Sequence, residues 1–354
     1  MPLLNLSSPH AHSSNSTASV MLSVALATLP AALVLSYFFG WGTLINVVLS
    51  ISFCLSLECF ALYLRKRPIL FYLKDNSALV TAVLIALSVP PYAPWWLLAI
   101  GCLFAIVIAK HLYGGLGYNP FNPAMVAYVV LIISFPLPMS QWPVAQSLQD
   151  ANAQLPNFLD SLSLVFASRE NIDAYTAATP LDVFKQNSSA MVEELYKNSA
   201  TFSQAKFAGV AWEWVNLAFL AGGLFLLYKK VFTWHAPLSM LAALALMSAL
   251  FYDGGSSSSG GSPLFHCFSG ASMFGAFFII TDPVSSATSR RGKIIFGASI
   301  GLLVFVIRLW GNYPDALAFS VLLLNFAAPF IDYYTQPRAY GHSKKPPINS
   351  ENTK

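Results

Sequence analysis

Long apolar runs alternate with short polar stretches along most of this chain. A helix needs about 20 apolar residues to cross the hydrocarbon core of a bilayer. Two runs, Ala78–Val89 and Leu264–Ile280, are short or interrupted by glycine, which is typical of broken helices around a binding site. The pattern predicts an all-α integral membrane protein with ten transmembrane helices, five on each side of a polar stretch. The ten runs are Val20–Phe39, Leu44–Leu64, Ala78–Val89, Trp95–Ala109, Pro123–Leu137, Trp214–Tyr228, Pro237–Tyr252, Leu264–Ile280, Ile294–Trp310 and Pro314–Ile331.

A weak internal repeat agrees with this division into two sets of five. The stretch Ser77–Pro90 resembles Ser269–Pro283, and both combine Ser, Ala and aliphatic residues before a proline. An odd number of spans in each half makes the second half inverted relative to the first. Inverted repeats with broken helices are the architecture of many transport proteins.

Composition supports a membrane protein. Hydrophobic residues make up 56% of the 354 residues and charged residues only 10%, whereas soluble domains carry about 25% charged residues. This excludes a soluble enzyme and a nucleic-acid-binding protein. All four cysteines lie in apolar runs without the spacing of metal ligands, so no metal site is predicted.

Positive charge indicates the orientation. With the N-terminus inside, 14 of the 19 Lys and Arg residues lie on the inner side, which leaves five outside. The positive-inside rule favours this arrangement. In a bacterium, both termini would then be cytoplasmic. The predicted parts are a cytoplasmic tail (1–17), a first membrane half (18–138), a periplasmic loop (139–211), a second membrane half (212–332) and a cytoplasmic tail (333–354).

The outer loop contains a candidate modification site. Its segment Asp173-Ala-Tyr-Thr176-Ala177-Ala178-Thr179 resembles the acceptor pattern of flavin transferases, in which the last Thr forms a phosphoester with FMN. Small residues leave the Thr179 hydroxyl open to a bulky dinucleotide. Asp173, Thr176 and Ala178 would shape the loop. The chain has Ala177 where the pattern often has glycine.

Three further stretches are long enough to identify a protein family: Lys110–Ala124, Phe278–Gly292 and Asn312–Asp332. With the acceptor segment, they resemble the NqrB/RnfD family, which contains the RnfD component of the Rnf ion-translocating electron transport complex. That component is similar to the NqrB component of the sodium-pumping NADH:quinone reductase. The resemblance extends from about Ala18 to Gly341.

The resemblance implies a fold and a function. The family carries covalent FMN on the threonine that matches Thr179, and it has ten helices in two inverted halves, similar to urea channels. Its members lie in the bacterial inner membrane and pass electrons within a complex, on the path between ferredoxin and NAD, coupled to Na⁺ or H⁺ movement. The implied partners are the RnfA, RnfB, RnfC, RnfE and RnfG components of the Rnf complex and a flavin transferase. A second, noncovalent flavin such as riboflavin is also compatible with it. The chain is expected to belong to an oxidoreductase and translocase, but to be inactive alone.

Polar residues within the apolar runs leave alternatives open. Asp282 fits a helix cap or turn, or the lining of an ion or flavin site at a broken helix. Arg308 fits attraction of a flavin phosphate or a position among the outer lipid headgroups. Glu58 lies seven residues before Arg65, and we predict that it pairs with the basic cluster there.

A passive solute channel or secondary transporter is the alternative function. Inverted halves, broken helices and the triplet Asn122-Pro-Ala124 favour it, because water channels carry such triplets. A water channel needs a second triplet, however, and the corresponding region reads Asn312-Tyr-Pro-Asp-Ala316. A channel also has no use for a flavin acceptor, so a membrane flavoprotein that transfers electrons is preferred.

Overall fold

Helices dominate the computed structural model of the chain, which describes residues 16–148, 155–167, 172–187, 192–203, 205–254, 256, 259–313 and 315–335. Within these ranges there is no strand, only an isolated bridge between Pro143 and Thr176. The all-α prediction is therefore confirmed. Most of the two predicted tails, residues 1–15 and 336–354, lies outside the described residues.

The first set of helices follows the predicted runs, but three of the five runs are divided, beginning with the first. The sequence predicted one helix over Val20–Phe39, whereas the structure divides it at Thr28. Pro30 explains this, because it has no N–H to donate and its ring crowds the carbonyl four residues earlier. The helices are α1 Thr17–Ala27, α2 Leu29–Phe39, α3 Gly42–Leu64, α4 Ile69–Leu73, α5 Ser77–Ser88, α6 Trp95–Leu103, a π-helix (π1) Phe104–His111 and α7 Pro123–Ser134.

The polar stretch between the two sets folds into short helices. A buried cluster of Leu181, Leu195, Phe202 and Phe265 joins it to the second set of helices. The elements are α8 Pro136–Ser140, a 3₁₀-helix Gln146–Leu148, α9 Phe158–Phe166, a 3₁₀-helix Ile172–Tyr175, α10 Pro180–Gln186, α11 Val192–Asn198 and α12 Ala200–Ser203.

The second set contains the broken helix that the sequence predicts. The run Leu264–Ile280 forms three short pieces, of which the middle one follows a turn at Gly270, where φ is +56°. Glycine adopts this left-handed conformation without strain. The helices are α13 Trp212–Tyr228, α14 His235–Leu250, α15 Pro263–Phe268, α16 Ser272–Phe274, a π-helix (π2) Gly275–Ile279, α17 Arg290–Trp310 and α18 Leu317–Thr335.

Four helical stretches are long and apolar enough to cross a membrane: Thr17–Phe39, Gly42–Leu64, Arg290–Trp310 and Leu317–Thr335. Five further apolar helices have 10–17 residues. Large apolar side chains such as Leu33 and Phe326 are exposed on these surfaces, as expected for helices that contact lipid. The chain is therefore built as a membrane protein, and the count of ten spans and the inverted repeat stay predictions.

Candidate functional site

The segment before Thr179 is held in an extended conformation against residues 142–144. The N–H of Ala177 donates to the carbonyl of Trp142 at 2.9 Å, and the N–H of Val144 donates to the carbonyl of Tyr175 at 2.9 Å. Asp173 accepts a hydrogen bond from Gln141 at 3.1 Å. These bonds fix the loop.

Ala178 is exposed at this loop, and Thr179 begins α10 as its N-cap. The Thr179 hydroxyl donates to the Asp182 carboxylate at 2.6 Å, and the same carboxylate accepts the Thr179 N–H at 3.0 Å. The Asp182 N–H lies 3.3 Å from the Thr179 hydroxyl. This is a capping box, which satisfies free donors at the start of a helix. The hydroxyl of Thr179 is thus held at a fixed point beside exposed small residues.

Helix α10 is anchored on both sides. Pro180 packs so closely on Gly209 that a Cβ at position 209 would overlap the proline ring. The Lys185 ammonium donates to the carbonyl of Tyr313 at 3.0 Å. Partial burial lowers the pKa of Lys185, although the nearby Asp182 carboxylate acts in the opposite direction. Helix α10, which follows the candidate acceptor loop, is therefore tied to the segment before α18.

Thr179 lines a cavity of about 220 Å³, here called the outer cavity. Its walls are mostly apolar and come from both sets of helices. Trp142 and Trp212 form an edge-to-face pair with ring centroids 5.0 Å apart. Further aromatic side chains in the lining are Tyr128, Phe219, Phe274 and Tyr313. Aromatic walls with a few polar groups at one edge are typical of sites for planar organic ligands.

Arg308 is buried beside this cavity but is not part of its lining. Its guanidinium donates to the carbonyl oxygens of His266 and Ser269 at 2.9 and 3.3 Å and lies 3.4 Å from Asp315. Asp315 lines the cavity and accepts the Ala271 N–H at 2.8 Å. A position of Arg308 among lipid headgroups is therefore wrong, because these partners hold it inside the protein. Its attraction of a flavin phosphate stays a prediction.

A second cavity, of about 330 Å³, lies at the opposite end of the same helices and is here called the inner cavity. Ser77, Thr81 and Leu84 of α5 line it, whereas Leu87 and Ser88 of α5 line the outer cavity. The two cavities thus open at opposite ends of α5.

Polar side chains concentrate in the inner cavity. Asp282 lines it and accepts hydrogen bonds from the Ser285 hydroxyl at 2.6 Å and the Val284 N–H at 3.3 Å. Asp282 therefore stabilises a turn, and its role in an ion or flavin site stays a prediction. Asn119 also lines the cavity and is buried, and its side-chain oxygen has no hydrogen-bond partner in the described part of the chain. Such an orphaned acceptor is a sign of a bound ligand or water.

Glu58 belongs to a buried charge cluster that the sequence prediction only partly identified. Its carboxylate lies 2.7 Å from the Lys110 ammonium and 3.1 Å from the His111 ring. Lys110 also donates to the Ser77 hydroxyl at 2.8 Å, and Arg65 lies 3.3 Å from the His111 ring. The predicted link from Glu58 to Arg65 thus runs through His111. Lys110 lines the inner cavity, so the cluster connects that cavity to the end of α3.

Sequence reasoning missed Lys110, Asn119 and Asp315 as site residues. Lys110 was the residue with the clearest signal, because a lysine within an apolar run is rare unless it is paired. The described residues contain no group of three or more His, Cys, Asp or Glu side chains that could hold a metal ion.

Long apolar helices, short broken helices and two cavities at opposite ends of α5 define a polytopic α-helical membrane protein. A half-buried threonine held by a capping box lines one of the cavities. The family model for NQR2, RnfD and RnfE matches residues 5–341. The chain belongs to this family.

Curated relatives match over almost the whole chain. The D component of an ion-translocating oxidoreductase complex from Cellvibrio japonicus (strain Ueda107) is 57% identical over 345 residues, 97% of this chain and 96% of the relative. The protein of the same name from Ectopseudomonas mendocina (strain ymp) is 55% identical over 344 residues, 97% of each chain. That of Vibrio vulnificus (strain YJ016) is 53% identical over 356 residues, covering 95% of this chain and 98% of the relative.

Proposed function

We propose that this chain is the RnfD component of an ion-translocating oxidoreductase complex and that it carries FMN as a phosphoester on Thr179. Its similarity to proteins of that name supports the first part. The position of Thr179 carries the second part, because Thr179 lines a cavity with aromatic walls. The chemistry that FMN supplies when bound is the transfer of one or two electrons.

The residues at the outer cavity fit such a group. The exposed Ala178 leaves space for a flavin transferase, and the capping box holds the Thr179 hydroxyl in place. Trp142, Trp212 and Tyr128 offer apolar surface to a planar ring system. Asp173 and Thr176 hold the acceptor segment and take no part in electron transfer.

The inner cavity fits a second, noncovalent flavin such as riboflavin. The orphaned oxygen of Asn119 can accept a hydrogen bond, and the Lys110 ammonium, which has three N–H donors and gives two of them to Glu58 and Ser77, has one left for a ligand on the same lining. We include this flavin in the proposal, with Asn119 and Lys110 as the residues that would contact it.

The remaining parts of the proposal concern the complex. The chain passes electrons to and from its partners RnfA, RnfB, RnfC, RnfE and RnfG in the bacterial inner membrane, and this transfer is coupled to Na⁺ or H⁺ movement. Both termini are cytoplasmic and residues 139–211 face the periplasm. In support, Lys293 lines the inner cavity, at the end of α5 opposite to Thr179, as the positive-inside rule requires.

In-gel flavin fluorescence of the denatured chain tests the proposal. We expect a fluorescent band when the chain is produced together with its flavin transferase and a dark band without the transferase. The proposal would be contradicted if the band stayed dark even with the transferase present, while the same transferase labelled another acceptor protein. That result would favour a passive solute channel, which draws support from two cavities that share α5 and α7.

The capping box gives a graded prediction. Asp182→Ala removes the acceptor of the Thr179 hydroxyl and N–H, and loss of such a cap costs about 1 kcal/mol. We expect flavin incorporation to fall several-fold without being abolished, because the acceptor loop is still held at Trp142. Asp182→Asn keeps an oxygen that can accept the Thr179 N–H and is expected to retain most incorporation. Equal fluorescence in all three chains would show that the box does not position the acceptor.

A further inference from the structure

Helix α3 carries a row of buried polar side chains from one end to the other. They are spaced by three or four residues, so they share one face of the helix. Each of them is at most 2% exposed, whereas Val48 and Phe60 on other faces are more than half exposed. The row, here called the α3 file, consists of Thr43, Asn46, Ser50, Cys54 and Glu58.

Besides Glu58 Oε2, which faces the His111 ring at 3.1 Å, three members of the α3 file have a polar atom without a hydrogen-bond partner in the described residues. These atoms are the hydroxyl oxygens of Thr43 and Ser50 and the side-chain oxygen of Asn46. Inside a membrane protein, an unsatisfied polar group is costly, because lipid offers no substitute for water. Three of them in succession on one helix face point to a bound partner that runs along the helix.

The lipid-facing serines of the same helix behave differently. The Ser52 hydroxyl donates to the carbonyl of Val48 at 2.8 Å, and the Ser56 hydroxyl donates to the carbonyl of Ser52 at 2.7 Å. This bond to the preceding turn is the usual solution for serine in an apolar helix. The Ser50 hydroxyl, in the same helix, makes no such bond to the preceding turn. It is therefore available to a partner on the buried face.

Water has the right size for this partner. Residues four apart are separated by about 6 Å along the helix axis, and one water that makes two hydrogen bonds of about 2.8 Å spans that distance. From Thr43 to Glu58 the α3 file extends about 22 Å, which is most of the roughly 30 Å hydrocarbon thickness.

Both ends of the α3 file meet polar structure. At the outer end, the Asn46 amide donates to the carbonyl of Pro90 at 2.9 Å. At the inner end, Glu58 contacts Lys110 and His111, and His111 contacts the exposed Arg65. Between them, the Cys102 thiol lies 3.8 Å from the Ser50 carbonyl, and the α3 file continues through the buried, weakly polar thiol of Cys54.

We propose that the α3 file holds a chain of bound water that conducts protons between the turn at Pro90 and the Glu58–Lys110 pair. This inference rests on the proposed function, for which it names the ion and a route. When a proton enters the water chain at one end, another proton leaves at the other end, and each hydrogen bond in the chain reverses its direction. The water molecules and hydroxyl groups then rotate back, so the chain carries no added charge afterwards. A sodium ion fits poorly, because the Lys110 ammonium and His111 already occupy the only carboxylate in the file.

Two substitutions at Ser50 test the route in the whole complex, reconstituted in proteoliposomes. The two replacement side chains, valine and threonine, are isosteric with each other. Ser50→Val and Ser50→Thr have the same bulk and differ in the hydroxyl. We expect Ser50→Val to lower redox-driven proton movement, followed with a pH-sensitive dye, by about tenfold, equivalent to about 1.4 kcal/mol of activation free energy. Ser50→Thr and the lipid-facing control Ser52→Val are expected to stay within about twofold of wild type, well under 1 kcal/mol.

Redox turnover and in-gel flavin fluorescence of the same samples separate the two proposals. If the wild-type chain lacks covalent flavin, the proposed function fails whatever Ser50 does. If flavin and turnover are normal, the water chain is overturned by any of three results. These are equal proton movement in Ser50→Val and wild type, an equal loss in Ser50→Thr, and a wild-type complex that moves Na⁺ but no protons.

Discussion

Thr179→Ala is expected to remove all covalently bound flavin from the chain while the protein still folds. The substitution deletes the hydroxyl of Thr179, which the capping box holds in place in the lining of the outer cavity. Its structural cost is that of one helix cap, about 1 kcal/mol, at a short helix that Pro180 and Leu181 continue to anchor. Fluorescence of the denatured band, relative to its protein stain, measures the effect.

Thr179→Ser is the matched control for this prediction. Serine keeps a hydroxyl and is as good an N-cap as threonine, so it is expected to retain covalent flavin. A fluorescent Thr179→Ala band would refute the assignment of the acceptor. A dark Thr179→Ser band with normal protein yield would instead mean that the transferase requires the threonine methyl group.

The conformation of the loop before Thr179 has local determinants, whereas the role of Thr179 as a flavin acceptor stays a prediction. The pattern from Asp173 to Thr179 is contiguous, and threonine followed three residues later by a carboxylate is the usual signature of a capping box. Its anchoring could not be predicted. Gly209 and Tyr313 contact α10 from distant parts of the chain, and no periodicity in the sequence reports such contacts.

The membrane helices were predictable for a related reason. A run of apolar residues long enough for a bilayer is a strong local signal, and Gly42–Leu64 and Arg290–Trp310 are both helical in the structure. The π-helical segment Phe104–His111 was not predicted. Its sequence is as apolar as an α-helix, and the shift to a wider helix depends on what packs around it. It ends at Lys110 and His111, as π-helices often do near functional side chains.

Contacts between side chains on different helices were the main feature that the sequence did not predict. Glu58 and Lys110 are 52 residues apart, and helix periodicity relates only residues on the same helix. Arg308 shows the same limit. Its partners are carbonyl oxygens exposed by the turn around Gly270, and these are invisible in a hydropathy pattern. The partners of buried polar groups in a membrane protein can therefore be assigned only once the packing of its helices is known.

Glu58→Ala is expected to have the largest effect on stability. It leaves the Lys110 ammonium buried without its carboxylate, and breaking a buried ion pair in this way costs about 3–5 kcal/mol. Both side chains are 3% exposed, so bulk solvent does not compensate for the lost carboxylate. The half-life of the detergent-solubilised protein at a fixed temperature measures the effect, since unfolding of such proteins is often irreversible.

A double-mutant cycle gives this prediction its control. Its corners are Glu58→Met and Lys110→Met, each made alone, and the pair of them. Either single substitution leaves one buried charge without its partner, so both are expected to destabilise the protein. The pair Glu58→Met with Lys110→Met removes both charges and fills similar volume, which for buried ion pairs is often neutral or stabilising. We therefore expect the double variant to survive longer than either single variant. If the two losses simply add, Glu58 and Lys110 do not act as a pair, and the charge cluster would owe its stability to His111 and Arg65 instead.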